Sequence, residues 1–128
     1  MNESSPLPAV RCRELCKTFS SQAENLEVLR SLDLEVRQGE SCAIMGASGS
    51  GKSTLLAILG GLERFEKGEV CVDGKDLAKL SEKDLPKFRS GSVGFVFQFH
   101  YLLKDFNALE NVALPAYMRG VPKKEAWE

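Results

Sequence analysis

The chain has 128 residues, a formal net charge of −1 and 43% hydrophobic residues, which fits one soluble globular domain with its own core. This charge balance offers no electrostatic attraction for nucleic acid, which is therefore not expected as a partner. The N-terminus lacks the basic and apolar regions of a signal peptide, and the most apolar stretch, Thr54–Leu62, is too short to span a bilayer, which together predict a cytoplasmic chain.

The first half of the chain is predicted to form strands and one helix. Alternating apolar and polar residues predict strands over Val10–Leu15 and Val28–Val36, followed by a reversal at Arg37–Glu40. Cys42–Met45 is a continuous apolar run, which is typical of a strand buried on both faces in a parallel sheet. Leu55–Leu62 is apolar nearly all round and predicts a buried helix, which the paired glycines near its end would terminate.

The middle of the chain adds two strands and a helix. Gly68–Gly74 is predicted as a strand that ends in an Asp-Gly turn. A helix is predicted within Ser81–Ser90, and we favour Asp84 as its N-cap because Pro86 then falls in the first turn, where proline is tolerated. Ser92–Phe97 is predicted as the next strand.

The last part of the chain is predicted to be helical. Asn107 and the glutamate three residues later have the spacing of a capping box, ahead of an apolar helix over Val112–Met118. Pro115 should kink this helix and Gly120 can end it. A further helix is predicted to start at Lys123–Trp127.

The stretch GASGSGKS, Gly46–Ser53, fits the phosphate-loop pattern G-x-x-x-x-G-K-[ST] without a mismatch, between a predicted buried strand and a predicted helix. Its glycines let the backbone N–H groups point inward at phosphate oxygens, and the helix that follows adds its positive end. Lys52 would reach the β- and γ-phosphates of a nucleotide, the Ser53 hydroxyl would ligate Mg²⁺, and Thr54 would support the α-phosphate. The alternative is a glycine-rich turn with an exposed lysine. The predicted nucleotide-binding residues are Gly46, Ala47, Ser48, Gly49, Ser50, Gly51, Lys52, Ser53 and Thr54.

Three stretches, GESCAIMGASGSGKSTLLAILGGLE, GEVCVDG and GFVFQFHYLLKDFNALENVALP, together resemble the ATP-binding subunits of ABC transporters. The resemblance runs from about Val10 to the end of the chain and is greatest to the lipoprotein-releasing (LolD-type) ATPase group. It implies an α/β P-loop NTPase fold that is incomplete: an antiparallel β segment, the start of the parallel ATP-binding core and the start of the helical subdomain. Residues 1–9 would be a flexible N-terminus and residues 10–128 a partial ABC ATPase domain.

The resemblance also implies roles for residues outside the phosphate loop. Phe19 resembles the aromatic residue that stacks on adenine; the alternative is an ordinary core or surface aromatic. Gln98 resembles the Q-loop glutamine, whose amide oxygen ligates Mg²⁺ or orients the attacking water; the alternative is a polar residue at a strand end. His100, the only histidine, lies in this Q-loop and is not expected to be a catalytic base. The residues implied to dock a transmembrane permease subunit, unless their rings are simply core, are Phe99, His100, Tyr101, Leu102 and Leu103.

The sequence lacks the signature motif, the Walker B strand ending in Asp-Glu and the switch histidine of complete ABC ATPases. The general base is therefore absent, and we expect the 128-residue chain alone, which resembles the N-terminal half of a subunit, to hydrolyse ATP poorly or not at all. In the family two such subunits pair head to tail and bind the permease, which implies a peripheral position on the inner face of the bacterial inner membrane.

The implied function is an ATP-binding subunit that couples the binding and hydrolysis of Mg-ATP to export or lipoprotein release. One alternative is a non-catalytic ATP-binding fragment, such as a truncated gene product. Another is the ATPase of a related macrolide or peptide exporter or of a cell-division (FtsE-like) system. An unrelated P-loop kinase or GTPase is disfavoured, since the guanine-reading Asn-Lys-x-Asp motif of GTPases does not occur.

Overall fold

A computed structural model describes residues 7–128 and divides the chain after Val93 into two compact units. Of the predicted flexible N-terminus, residues 1–6 lie outside the described residues. No helix within residues 7–128 is both long and apolar enough to cross a membrane. The predicted boundary of an ABC ATPase domain at residue 10 stays a prediction.

The first unit is built on one antiparallel sheet. Its strands are β1 (Val10–Ser20), β2 (Asn25–Val36), β3 (Lys67–Val72) and β4 (Lys75–Asp76), in the spatial order β2-β1-β3-β4. The strands predicted at Val10–Leu15, Val28–Val36 and Gly68–Gly74 are confirmed. Strands β1 and β2 are longer than predicted because they pair with each other from Val10 opposite Val36 to Ser20 opposite Asn25.

A tight turn joins β3 to β4, as the Asp-Gly pair predicts. Asp73 and Gly74 have φ angles of 50° and 71°, so both adopt the left-handed conformation that a two-residue hairpin turn requires. Val72 pairs with Lys75 directly across this turn. The turn chemistry was therefore readable from two residues alone.

Helix α1 (Lys52–Leu59) follows the phosphate loop, and α2 (Leu85–Ser92) lies further along the first unit. Gly60 and Gly61 end α1 as predicted, with the Gly61 N–H donating to the Ile58 carbonyl at 2.9 Å. Helix α2 begins after Asp84 with Pro86 in its first turn, which confirms the later of the two possible starts.

The core of the first unit joins the sheet to both helices. Leu55 and Ile58 of α1 are buried, but Leu56 and Leu62 are 56% and 48% exposed, so the prediction of a helix buried all round is wrong. Each large apolar side chain buried in this way contributes about 1.5–3 kcal/mol to stability. The buried cluster consists of Cys12, Leu15, Leu29, Leu55, Ile58, Val70, Val72, Leu77 and Phe88.

Two of the predicted strands are not strands. Cys42–Met45 and residues 93–97 have no regular secondary structure and form no backbone–backbone hydrogen bond with another described residue, and Ser92 belongs to α2. The predicted burial of Cys42–Met45 is also wrong, since Met45 is 89% exposed. The physical reason is that a strand exists only with a neighbour to pair with, and residues 7–128 contain no neighbour for either segment.

The second unit contains α3 (Ala108–Met118) and α4 (Lys123–Ala126). The predicted capping box is confirmed: the Glu110 N–H donates to Asn107 Oδ1 at 2.9 Å, and the Asn107 N–H donates to Glu110 Oε2 at 2.8 Å. Because the cap works from Asn107, α3 begins four residues earlier than the apolar pattern predicts. Gly120 follows its end with a φ of 87°, as predicted.

One charged side chain is buried at the edge of the core. Lys17 of β1 is 6% exposed and forms ion pairs with Glu63 at 2.9 Å and Glu66 at 3.1 Å. Burial lowers the pKa of Lys17, but these two carboxylates together raise it above its ordinary value of 10.5. The Thr18 N–H donates to Glu66 Oε2 at 2.8 Å, and this bond is the main cause that lowers the pKa of Glu66 below 4.5, with burial opposing it and Lys17 adding to it.

We expect Glu66→Gln to lower the free energy of unfolding at neutral pH, by less than about 1 kcal/mol because the carboxylate is half exposed. A carboxyl whose pKa is lowered by folding stabilises the fold above its ordinary pKa of 4.5, and this stability is lost as the pH falls through the folded-state pKa. The difference between the wild-type chain and the variant should therefore shrink at about pH 3, as measured by urea denaturation at both pH values. A difference that grows on acidification would contradict this account.

Candidate functional site

The phosphate loop is an exposed turn that connects the extended segment before Gly46 to the first turn of α1. The Ser50 N–H donates to the Ala47 carbonyl at 3.2 Å, which closes the turn. A side chain at Gly46 would have its Cβ only 2.7 Å from Ser50 Oγ, so glycine is needed for the two ends of the loop to approach.

Lys52 folds back across this loop. Its Nζ donates to the Gly46 carbonyl at 2.8 Å, to the Ala47 carbonyl, and to Ser50 Oγ at 3.3 Å. These acceptors are neutral, so an anion placed in the loop would attract the ammonium more strongly than they do. The geometry therefore places one ammonium against two backbone carbonyls and one side-chain hydroxyl of a single turn, and this ammonium is the group that suits a phosphate.

Gly51 brings the loop against the sheet. It has a φ of 94°, and a Cβ there would lie 2.9 Å from Val28 Cγ1, 3.0 Å from Leu29 Cδ2 and 3.1 Å from the Val28 carbonyl oxygen. Val28 and Leu29 belong to β2, and Leu29 is buried in the core. Only glycine satisfies both the backbone angle and the contact, so this residue joins the phosphate loop to the antiparallel sheet.

Ser53 and Thr54 lie in the first turn of α1, where backbone N–H groups have no partner within the helix. No acidic residue occupies this turn, so the positive end of the helix is not neutralised locally. The Ser53 side chain is exposed beside Lys52. A hydroxyl at this position fits Mg²⁺, which in nucleotide sites is held by phosphates and waters with few protein ligands.

Phe19 lies near the end of β1, opposite Leu26 of β2, and its ring is 41% exposed. Lys17, two residues before it, pairs with Leu29, the residue that Gly51 of the phosphate loop approaches. The Lys17 Nζ stands 4.7 Å from the centre of the Phe19 ring. Phe19 and the phosphate loop therefore lie near the same part of the sheet, although 27 residues or more separate them in sequence.

Gln98 and the predicted docking residues lie in the second unit, in an irregular segment that precedes α3. Gln98 is exposed, and Phe99, Tyr101 and Leu102 are each about two-thirds exposed. The Phe97 and Tyr101 rings meet edge to face with centroids 5.2 Å apart. These rings form a surface aromatic cluster, and the alternative in which they are buried in a core does not describe them.

Sequence reasoning missed Lys17 and its two carboxylates, and it also missed Asn111. The alternation of β1 offered a signal for Lys17, since it shares the inward face with Leu15. The Asn111 side chain accepts from the Leu103 N–H at 2.8 Å and donates to the Phe106 and Asn107 carbonyls at 3.0 and 2.9 Å. It thereby holds the segment before α3 against the helix, and no local sequence pattern predicts this role.

The chain matches a family model described as ABC transporter over residues 29–128. Among curated relatives, the lipoprotein-releasing system ATP-binding protein LolD of Bdellovibrio bacteriovorus is 49% identical, over 93% of this chain and 54% of the relative. LolD of Treponema denticola is 52% identical, over 89% of this chain and 50% of the relative. The chain thus spans about half the length of the curated relatives it matches.

Among solved structures, a dimeric post-hydrolysis state of the ATP-binding cassette MJ0796 bound to ADP and phosphate is 36% identical, with a TM-score of 0.85 over 92% of this chain and 52% of that one. This likeness confirms the predicted fold class, an incomplete ATP-binding cassette of the P-loop NTPase type. The sheet described above is the antiparallel segment of that fold.

We expect Gly51→Ala to lower the free energy of unfolding by about 2–5 kcal/mol, because it combines a strained φ with overpacking against β2. The matched control is Gly39→Ala, which has a similar φ of 77° but no atom within 4 Å of its Cβ, and which should cost only about 1–2 kcal/mol. Urea denaturation of both variants measures the difference. Equal losses would show that the contact with Val28 and Leu29 does not matter.

Proposed function

Because the chain belongs to the ABC transporter family, we propose that it is the nucleotide-binding part of a transporter ATPase subunit that couples Mg-ATP to lipoprotein release from the inner membrane. The family resemblance noted in the sequence is confirmed by the matches over residues 29–128. The finer proposal, lipoprotein release, is supported by relatives named LolD at 44–52% identity from several bacterial groups.

The observation that carries the proposal is the Lys52 ammonium held inside its own loop. Its acceptors are the Gly46 and Ala47 carbonyls and the Ser50 hydroxyl, all on one short turn. A triphosphate offers negative oxygens at the same place, and charge-assisted hydrogen bonds to these are stronger than those to carbonyls. The loop is therefore preorganised around a cation that can transfer its hydrogen bonds to phosphate.

The remaining residues of the proposed site act around this cation. Bound Mg²⁺ would neutralise charge that develops on the phosphates. The Ser53 hydroxyl would hold the metal, the Thr54 end of the helix would receive the α-phosphate, and Gln98 would supply an amide oxygen to the metal or to the attacking water. Phe19 would stack on adenine with the exposed part of its ring.

Hydrolysis requires more than these residues provide. The sequence has no Asp-Glu pair after an apolar strand and no signature motif, so the chain supplies neither a general base nor the trans-acting contact. A second ATPase subunit in a head-to-tail dimer would supply the latter, and the dimeric state of the solved cassette supports this part of the proposal. We propose that this chain binds Mg-ATP but turns it over poorly by itself.

The aromatic cluster before α3 is the proposed contact with a transmembrane permease subunit. Its rings are exposed and flank His100, and a helix of the permease with an apolar face would cover them. Docking of this kind would place the subunit at the inner face of the bacterial inner membrane.

We expect Lys52→Ala to weaken the binding of Mg-ATP to the 128-residue chain by about tenfold to a hundredfold, because each lost charged hydrogen bond contributes about 1.5–3 kcal/mol. Isothermal titration calorimetry measures the affinity. Lys79→Ala is the matched control, because Lys79 is an exposed lysine paired only with Asp76, and it should bind as the wild type does. Equal affinity in Lys52→Ala and wild type would refute the phosphate site, and a steady ATPase rate abolished by Lys52→Ala would contradict the expected inactivity.

We expect His100→Ala, in the full-length subunit assembled with its permease, to leave nucleotide binding and basal hydrolysis unchanged while permease-stimulated hydrolysis falls. The physical reason is that His100 is exposed within the aromatic cluster that is proposed to contact the permease. Gln38→Ala, an exposed position in the turn after β2, serves as the control. A fall in basal hydrolysis would instead assign His100 to the chemistry.

A further inference from the structure

A buried ion cluster stands behind the ring that is proposed to stack on adenine. Lys17 is 6% exposed, with one ion pair to Glu63 at 2.9 Å and a second to Glu66 at 3.1 Å. Its ammonium also lies 4.7 Å from the centre of the Phe19 ring, within the range of a cation–π interaction. Lys17 therefore contacts two acids and one aromatic ring at once.

The position of this ammonium is determined from both sides. Burial of a lysine costs free energy unless it is paired, so Lys17 must stay where its carboxylates are. Glu66 is in turn held by the Thr18 N–H at 2.8 Å, and the Glu66 N–H bonds the Cys16 carbonyl at 3.4 Å. These bonds attach the segment after α1 to β1 on either side of Lys17 and thereby hold the Glu66 carboxylate beside the Lys17 ammonium.

The cluster also connects the two ends of the proposed nucleotide site. Glu63 and Glu66 follow the C-terminal end of α1, while Lys52 begins that helix at the phosphate loop. Phe19 lies on the other side of the cluster, at the end of β1. The ion pairs thus join the segment after α1 to the strand that carries the ring, and α1 begins at the phosphate loop.

We infer that Lys17 is a positioning residue for nucleotide recognition: clamped by Glu63 and Glu66, its ammonium occupies one face of the Phe19 ring and holds the opposite face toward the adenine base. This inference rests on the proposed function, since it assigns the base-binding end of the same site. It assigns no proton transfer or contact with phosphate to Lys17. Replacing Lys17 should consequently lower the affinity for a ligand that carries the base and leave the affinity for a ligand with phosphates alone unchanged.

The experiment compares two ligands of the 128-residue chain by calorimetry, Mg-ATP and magnesium tripolyphosphate. Lys17→Met keeps the apolar stem and removes the charge. We expect it to weaken the binding of Mg-ATP by about threefold to tenfold and to leave the affinity for tripolyphosphate within about twofold of the wild type. Lys17→Arg should restore most of the affinity for Mg-ATP because it keeps a cation over the ring. Lys79→Met, at an exposed lysine, controls for loss of one positive charge.

Several outcomes would overturn the inference. One is that Lys17→Met binds both ligands as the wild type does. Another is that Lys17→Met loses affinity for both ligands equally while its circular dichroism spectrum stays unchanged. If Lys17→Met does not fold, the double variant Lys17→Met with Glu66→Gln, which removes one of the unpaired carboxylates, takes its place in the comparison. Failure of both variants to fold would show that Lys17 supports the fold and not the ring, which also refutes the positioning role.

A failure of the proposed function is distinguishable from a failure of this inference. Lys52→Ala should weaken the binding of both ligands, because Lys52 is assigned to phosphate. If Lys52→Ala binds both ligands as the wild type does, the phosphate site itself is wrong and the inference falls with it. If Lys52→Ala loses both ligands while Lys17→Met loses neither, only the role of Lys17 is wrong.

Discussion

The approach of Gly51 to the backbone of β2 is the constraint on which the nucleotide site depends. A Cβ at this position would lie 3.1 Å from the Val28 carbonyl oxygen and closer still to the Val28 side chain, at a φ that side chains rarely adopt. Because the loop can rest directly on the sheet, the residues around Lys52 and the aromatic end of β1 belong to one body. In the proposed nucleotide site, packing within the first unit would therefore determine the relative position of phosphate and base.

Two lysines serve this site in opposite ways. Lys52 is bound by backbone carbonyls and one hydroxyl, which are weak neutral acceptors that an anion can displace. Lys17 is buried and forms ion pairs with two carboxylates, so it keeps these partners and its charge is balanced inside the fold. In the proposed site the same residue type would thus provide a ligand for phosphate in one case and a fixed support for a ring in the other. Burial and the charge of the acceptors make the difference.

The second unit contains an exposed aromatic segment, and the end of this segment is hydrogen-bonded to α3. The side chain of Asn111 fastens Leu103, Phe106 and Asn107 to α3, so the segment ends at a well-defined anchor. The rings before that anchor contact each other and remain largely exposed. Exposed aromatic area of this kind is stabilised when a partner covers it, which is why the proposed role of this segment is docking and not catalysis.

The sequence by itself determined the features that depend on a few adjacent residues. The phosphate-loop motif, the Asp73–Gly74 turn, the Asn107 capping box and the late start of α2 all follow from local backbone chemistry, and the structure has each of them. The family and the fold class were also predictable, because three stretches of the sequence resemble the ATP-binding subunits of ABC transporters, and the family model matches residues 29–128. Only the tertiary structure decided whether Cys42–Met45 pairs as a strand, since pairing depends on a second strand and not on the residues of the segment itself. It alone also revealed why Lys17 is buried, because the carboxylates that make this burial possible lie more than forty residues away along the chain.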